Sequence, residues 1–229
     1  MDATALAKSL SRSAYRSRPP PYSRHIKLYN LPRTAIPADL RRLCAKNNLS
    51  NTEKFNLLYE RFKPTGKGFV SFTSPEFTPN AVKTLQHAMV GGSRVEVELV
   101  SPNGMNQPGR TRGARGKAQA VERGLFLGDG PDAGLTRAGT NVLLTGLPGK
   151  STADIIKQYV RTFKLAGYED KGDVIKVDLP VSRMAVTASF VVRLASMSEA
   201  HRLVRRLHMT FYRSDLFFEK YPLKAHVIY

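Results

Sequence analysis

Acidic residues are scarce. The 229-residue chain carries 18 Asp and Glu against 36 Lys and Arg, a formal net charge of +18. A surplus this large argues for a polyanionic partner, most simply a nucleic acid; an anionic membrane surface or charge kept for solubility alone are the rivals. No apolar run is long enough to span a bilayer, and none forms a strongly amphipathic anchor. Cysteine occurs once, at Cys44, which excludes an internal disulfide framework and a Cys-based zinc site. Cys44 lies in a helical pattern four residues after Leu40, where a small buried core residue is expected. The five histidines, His25, His87, His201, His208 and His226, are scattered without metal-ligand spacing. There is no Gly-x-Ser-x-Gly elbow. No metal, cofactor or catalytic role is therefore expected. A hydrophobic fraction of 41% is too high for a fully disordered chain.

Four segments follow from the composition. Residues 1–24 contain Lys8, Arg12, Arg16, Arg18 and Arg24, much Ser and Ala, and one acid, Asp2. That is the make-up of a mitochondrial transit peptide, the alternative being a basic arm that touches phosphates without addressing the chain anywhere. Residues 25–100 alternate strand and helix patterns. Ile26–Leu31 reads as a strand, a helix follows Pro37 with Leu40 and Leu43 buried, and Lys54–Phe62 reads as a second strand. Pro64–Lys67 then forms a turn into a third strand, Ser74–Ala88 a second helix, and Arg94–Val100 a last strand. Residues 101–139 are a Gly- and Pro-rich basic linker carrying Arg110, Arg112, Arg115 and Lys117, read equally as a solvated tether or an RNA clamp. Within it Leu125, Phe126 and Leu127 are candidates for docking on either flanking unit.

The order repeats in residues 140–229. Strands are expected at Val142–Leu147, Val174–Leu179, Ala185–Leu194 and Ala225–Tyr229, with helices at Thr152–Leu165 and Ser198–His208. In the second of these helices Ala200, Leu203, Val204 and Leu207 make a buried stripe, and Arg202, Arg205 and Arg206 fall on the other side, as a backbone-binding patch or a solvated face. Leu-Pro or Gly-Leu-Pro follows the first strand of each set, which supports a tandem repeat.

The third strand of the first set is Thr65–Phe72, TGKGFVSF. Period-2 alternation sends Gly68, Val70 and Phe72 to one face and Lys67, Phe69 and Ser71 to the other. Gly66, Gly68, Phe69, Val70 and Phe72 match the K/R-G-F/Y-G/A-F-V-x-F/Y signature. Together with Ile26-Lys27-Leu28-Tyr29-Asn30-Leu31, the stretch resembles the two signatures of the RNA recognition motif (RRM). Thr65 and Lys67 depart from the pattern, at a basic and an aromatic position. The resemblance implies an α+β fold: two ferredoxin-like βαββαβ sandwiches joined by the flexible linker, the second of them degenerate. It also implies RNA as partner, as in fungal-type mitochondrial RNA-binding or mitochondrial-ribosome-associated proteins; nucleus and cytoplasm are the alternative locations.

Carried over position by position, the stacking sites of the first sheet are Lys27, Lys67 and Phe69, with Tyr29 as a neighbour. Two platforms have become lysines, so the face is expected to hold backbone charge more than to stack bases. Glu96 and Glu98, outward on the last strand, oppose phosphate at that edge. In the second sheet the equivalent face displays Leu143, Ser189, Val191 and Arg193, without an aromatic. An apolar face with one Arg suits a protein partner or a structured RNA backbone, so a protein-interaction scaffold that has lost RNA is the rival reading. Phe211, Tyr212, Phe217, Phe218 and Tyr221 exceed what a connecting loop needs, and part of that span is expected to be a docking surface. One stretch imitates an enzyme. Thr145–Thr152, TGLPGKST, resembles a phosphate-binding P-loop but has two residues rather than four between its glycines, and too little chain follows for a doubly wound sheet. The competing expectation is a turn whose Ser151 or Thr152 caps the next helix.

Overall fold

The computed structural model describes residues 23–100, 128–135, 137–167, 172–177 and 186–229. Residues 1–22 of the predicted N-terminal arm, the linker cations Arg110, Arg112, Arg115 and Lys117, and Leu125–Leu127 lie outside them.

The first unit runs β1 (His25–Tyr29), α1 (Pro37–Lys46), β2 (Thr52–Glu60), β3 (Lys63–Phe72), α2 (Thr78–Leu85), a small hairpin of β4 (Met89–Val90) and β5 (Ser93–Arg94), and β6 (Glu96–Val100). All pairings in its sheet are antiparallel, in the order β6-β1-β3-β2, extended at the β2 edge by β7 (Gly130–Pro131). Helix α1 starts at Pro37, whose missing N–H costs nothing in a first turn, and Asp39 accepts the Ile36 N–H at 3.0 Å. Leu40, Leu43 and Cys44 are its buried stripe, and burial pushes the Cys44 thiol up to about 11, as befits an inert core residue. Gly68 faces this helix. A Cβ there would lie 3.1 Å from a Leu31 methyl and 3.3 Å from a Leu40 methyl, tighter than an ordinary contact, so glycine lets α1 settle close to the sheet.

The turn between β2 and β3 is tighter and earlier than Pro64–Lys67. It is made by Arg61 and Phe62, with φ of 51° and 63°, the left-handed pair that a two-residue hairpin loop demands. Phe62 accepts this unfavourable backbone because its side chain is buried in the core.

The second unit comprises β8 (Asn141–Pro148), α3 (Ala153–Tyr159), β9 (Val174–Val177), β10 (Thr187–Arg193), α4 (Met197–Leu207), a short α5 (Ser214–Phe217) and β11 (Lys224–Ile228). Its sheet order, β11-β8-β10-β9, reproduces that of the first four-stranded sheet, so both units are ferredoxin-like. Val142, Leu144, Phe190, Val192 and Ala225 face Ile156, Ala200, Leu203 and Leu207 of the helices in one core. Thr152 caps α3 by accepting the Ile155 N–H, and Ser196 caps α4 by accepting the Glu199 N–H. Gly146 (φ 96°) lets β8 pass under the chain before β11, since a Cβ there would sit 2.0 Å from the Pro222 carbonyl oxygen.

The remaining face of the second sheet is covered, which reverses the expectation that Leu143 and Val191 are displayed. Leu143, Val177, Val191 and Ile228 are buried and belong to one continuous apolar cluster with Ala133 and with Leu57, Tyr59 and Phe62 of the first unit. Tyr59 Oη accepts the Tyr229 N–H at 3.0 Å across the same junction. The stretch from Gly128 to Leu135, expected to be flexible linker, supplies the middle of this contact. The Phe62 N–H donates to the Gly128 carbonyl (2.8 Å), the Arg61 N–H donates to Asp129 Oδ1 (2.7 Å), and Asn56 Nδ2 donates to the Asp132 carboxylate.

Candidate nucleic-acid interface

The outer face of the first sheet is assembled by strand register. Lys27 lies opposite Phe69 on one side and Glu98 on the other, Tyr29 lies opposite Glu96, and Asn56 lies opposite Phe69. The face divides into two halves. On the β2 side Asn56 is buried under its bond to Asp132, and Phe69 is 1% exposed. Phe69 stands on the expected face, but its ring is closed to solvent and cannot stack a base as it lies. On the β1/β6 side Lys67 and Glu98 are exposed and Lys27 and Tyr29 half-buried.

This open half is held together by its own charges. Lys27 Nζ lies 5.0 Å from the Tyr29 ring centroid and 5.7 Å from that of Phe69, and Lys67 Nζ lies 5.7 Å from the Tyr29 ring. Two ammonium groups against one aromatic ring are mutually repulsive and are kept there by the ring's negative face. Accordingly the Lys27 ammonium is held below the usual lysine range, first by burial and then by Lys67, while Glu98 acts in the opposite sense. Tyr29 Oη donates to Glu98 Oε2 at 2.7 Å, which fixes both side chains. The result is one accessible aromatic edge flanked by two cations, with a carboxylate at the rim.

The second sheet offers no such surface. Arg193, expected to meet phosphate, is 9% exposed, and its backbone is tied to Asp173 through a 2.7 Å N–H to carbonyl bond. Its burial takes it out of the set of surface cations. On α4, Arg202 is engaged by Glu199 (3.0 Å) and lies 5.2 Å from the Phe163 ring centroid, while Arg205 and Arg206 are exposed. Sequence patterning missed the clamp formed by Asn56, Asp129 and Asp132. Its trace in the chain is Asp129 and Asp132, two of the three acids in residues 101–139.

The TGLPGKST stretch is a capped turn. The Gly149 and Ser151 N–H groups donate to the Val186 and Pro148 carbonyls, and the Gly149 and Ser151 carbonyls accept from Lys176 Nζ at 3.0 and 3.4 Å. A P-loop directs its amides at phosphate; this turn uses those amides internally and surrounds an ammonium with carbonyls. Among the described residues no group of His, Cys, Asp and Glu is placed to hold a metal, and no helix is long and apolar enough to cross a membrane. Of the aromatics before β11, Tyr212 is buried beside Tyr159 and Phe217, whereas Phe218 (79%) is exposed, as is the nearby Leu216 (58%).

Residues 26–96 match the model of the RNA recognition motif family. The first unit is therefore an RRM domain. The match does not extend to the second unit, which shares the strand order alone. Among solved structures, the chain is similar to a Sxl-lethal protein/RNA complex (15% identity, 90% of this chain and 99% of that chain covered, TM-score 0.32). It is also similar to the Sex-lethal RNA recognition domains 1 and 2 from Drosophila melanogaster (15%, 89% and 98%, 0.30) and to the RNA15 RRM (17%, 38% and 99%, 0.34). At these TM-scores the likenesses add nothing to the family match. No curated protein matches the chain.

Proposed function

We propose that the protein binds single-stranded RNA through the β1/β6 half of the first sheet, gripping backbone charge with Lys27 and Lys67 around the Tyr29 ring. The observation that carries this reading is the placement of both ammonium groups within 6 Å of one accessible ring on the face that an RRM uses. One ring gives stacking for about one base, worth roughly 1–3 kcal/mol, so phosphate attraction supplies the rest and sequence preference is narrow. The linker cations Arg110, Arg112, Arg115 and Lys117 follow β6 in the chain and add charge for phosphate attraction. The second unit acts as a partner to the first, holding it through the covered sheet face. The Arg- and Ser-rich, acid-poor N-terminal segment supports a mitochondrial location, and with it a role in mitochondrial RNA metabolism or on a ribonucleoprotein such as the mitochondrial ribosome.

Fluorescence anisotropy with a labelled single-stranded RNA at low salt tests the binding. Saturable binding that weakens in Lys27→Ala/Lys67→Ala is expected; absence of binding would refute it. A protein-interaction scaffold is favoured by one observation, the exposed Leu216 and Phe218. It would show itself as a discrete protein co-purifying with the chain in the absence of RNA.

A further inference from the structure

Glu98 is out of place on a surface built to attract phosphate. It is exposed, it stands directly across the strand pair from Lys27, and yet among the described residues it closes no ion pair with that lysine. Instead Oε2 accepts the Tyr29 hydroxyl at 2.7 Å. That bond orients the carboxylate beside the one accessible ring of the platform. A carboxylate oxygen has two lone pairs, so Oε2 retains one and Oε1 both. A base stacked on Tyr29 would therefore bring its edge to a fixed, acceptor-only group.

The bases differ in what they offer such a group. Guanine alone places two donors side by side on its Watson–Crick edge, N1–H and the N2 amine. Cytosine and adenine pair their amine with an adjacent ring-nitrogen acceptor, which a carboxylate repels. Uracil sets its single N3–H between two carbonyls. Burial of Phe69 and Asn56 closes the β2 half of the face, so a base is confined to the side where Glu98 stands. Resting on the RNA-binding reading above, we propose that Glu98 is a specificity-determining residue that accepts guanine's N1–H and N2–H and makes this platform prefer a guanine at one position. Lys27 and Lys67 hold the flanking phosphates and offset the like-charge repulsion between Glu98 and the backbone.

The test compares anisotropy titrations of hexamers of uridine carrying a single central G, A, C or inosine, with the wild-type protein and Glu98→Gln, at one low salt concentration. Gln still accepts the Tyr29 hydroxyl through its amide oxygen, so the ring stays oriented, and circular dichroism verifies the fold. The proposal expects the G-containing hexamer to bind about tenfold tighter than the others. Inosine, which lacks the N2 amine, should fall between them. In Glu98→Gln the preference should shrink below about twofold because A, C and U gain while G does not. Equal binding of all hexamers by the wild type overturns the proposal. So does a uniform gain across all hexamers in the variant, which would make Glu98 a repulsive charge only. Failure of every hexamer to bind the wild type refutes RNA binding itself and is distinguishable from both.

Discussion

Val191→Thr separates a displayed second sheet from a covered one. The substitution exchanges a methyl for a hydroxyl at nearly constant volume in a strand, where both residues are well suited. On a displayed face it should change stability by less than about 0.5 kcal/mol. Val191, however, is fully buried among Leu143, Val177 and Ile228 in the cluster that reaches Ala133 and Tyr59. A hydroxyl placed there loses its water without gaining a partner, a cost of about 1–3 kcal/mol. With a urea m-value of about 2 kcal/mol/M, the unfolding midpoint should fall by about 0.5–1.5 M. Val186→Thr, at a position 79% exposed, is the matched control and should leave the midpoint in place. A Val191→Thr midpoint indistinguishable from that of Val186→Thr would refute the covered face.

Other perturbations address neighbouring parts. Tyr59→Phe deletes the acceptor of the Tyr229 N–H and should destabilise the chain by about 1 kcal/mol in urea melts, more than Tyr→Phe at the half-buried Tyr29. Asn56→Ala should raise amide hydrogen exchange at residues 129–133 while leaving α1 protected, because it removes the side-chain tie to Asp132. His25 is buried against Ser71 Oγ (2.8 Å), and burial, then Arg24, hold its imidazole below the ordinary histidine range. The unfolded chain therefore takes up that proton first: the contribution is present above about pH 6.5 and is lost as pH falls toward the lowered native value. Thermal melts from pH 7.5 to 5.5 should show a decline that is shallower in His25→Asn. For location, import assays with isolated mitochondria should show cleavage upstream of about Arg24; an uncleaved cytosolic protein would remove the targeting reading.

Much of the architecture is legible in the chain because strand alternation and helical stripes are local signals. Lys27 and Tyr29 share a face with Lys67 and Phe69 by period 2 alone, and Leu40 with Cys44 by period 3.6. Alternation assigns a face, however, and is silent on what covers it. Alternation puts Phe69, Val191 and Arg193 on the outward face of a sheet, and all three are buried. Part of the cover, at Val191 and at Asn56 beside Phe69, comes from Gly128–Leu135, whose Gly130-Pro131 strand has no β-propensity of its own and exists because the β2 edge presents unpaired backbone groups. The Arg61-Phe62 turn is hidden for the converse reason. It carries neither Gly nor Asn, and its left-handed backbone is sustained by burial of the Phe62 ring, a tertiary effect, while Pro64 and Gly66 supply a stronger local turn signal a few residues on.

If Lys27 and Lys67 grip RNA by its phosphates, the salt dependence of binding carries their signature. Each phosphate contact to a single strand contributes about 0.7 to the slope of log K against log salt. Two lysines should therefore contribute about 1.4, and raising salt from about 50 to about 200 mM should weaken the wild type about sevenfold more than Lys27→Ala/Lys67→Ala. Parallel slopes for the two proteins, whatever their absolute affinities, would mean that neither lysine meets a phosphate.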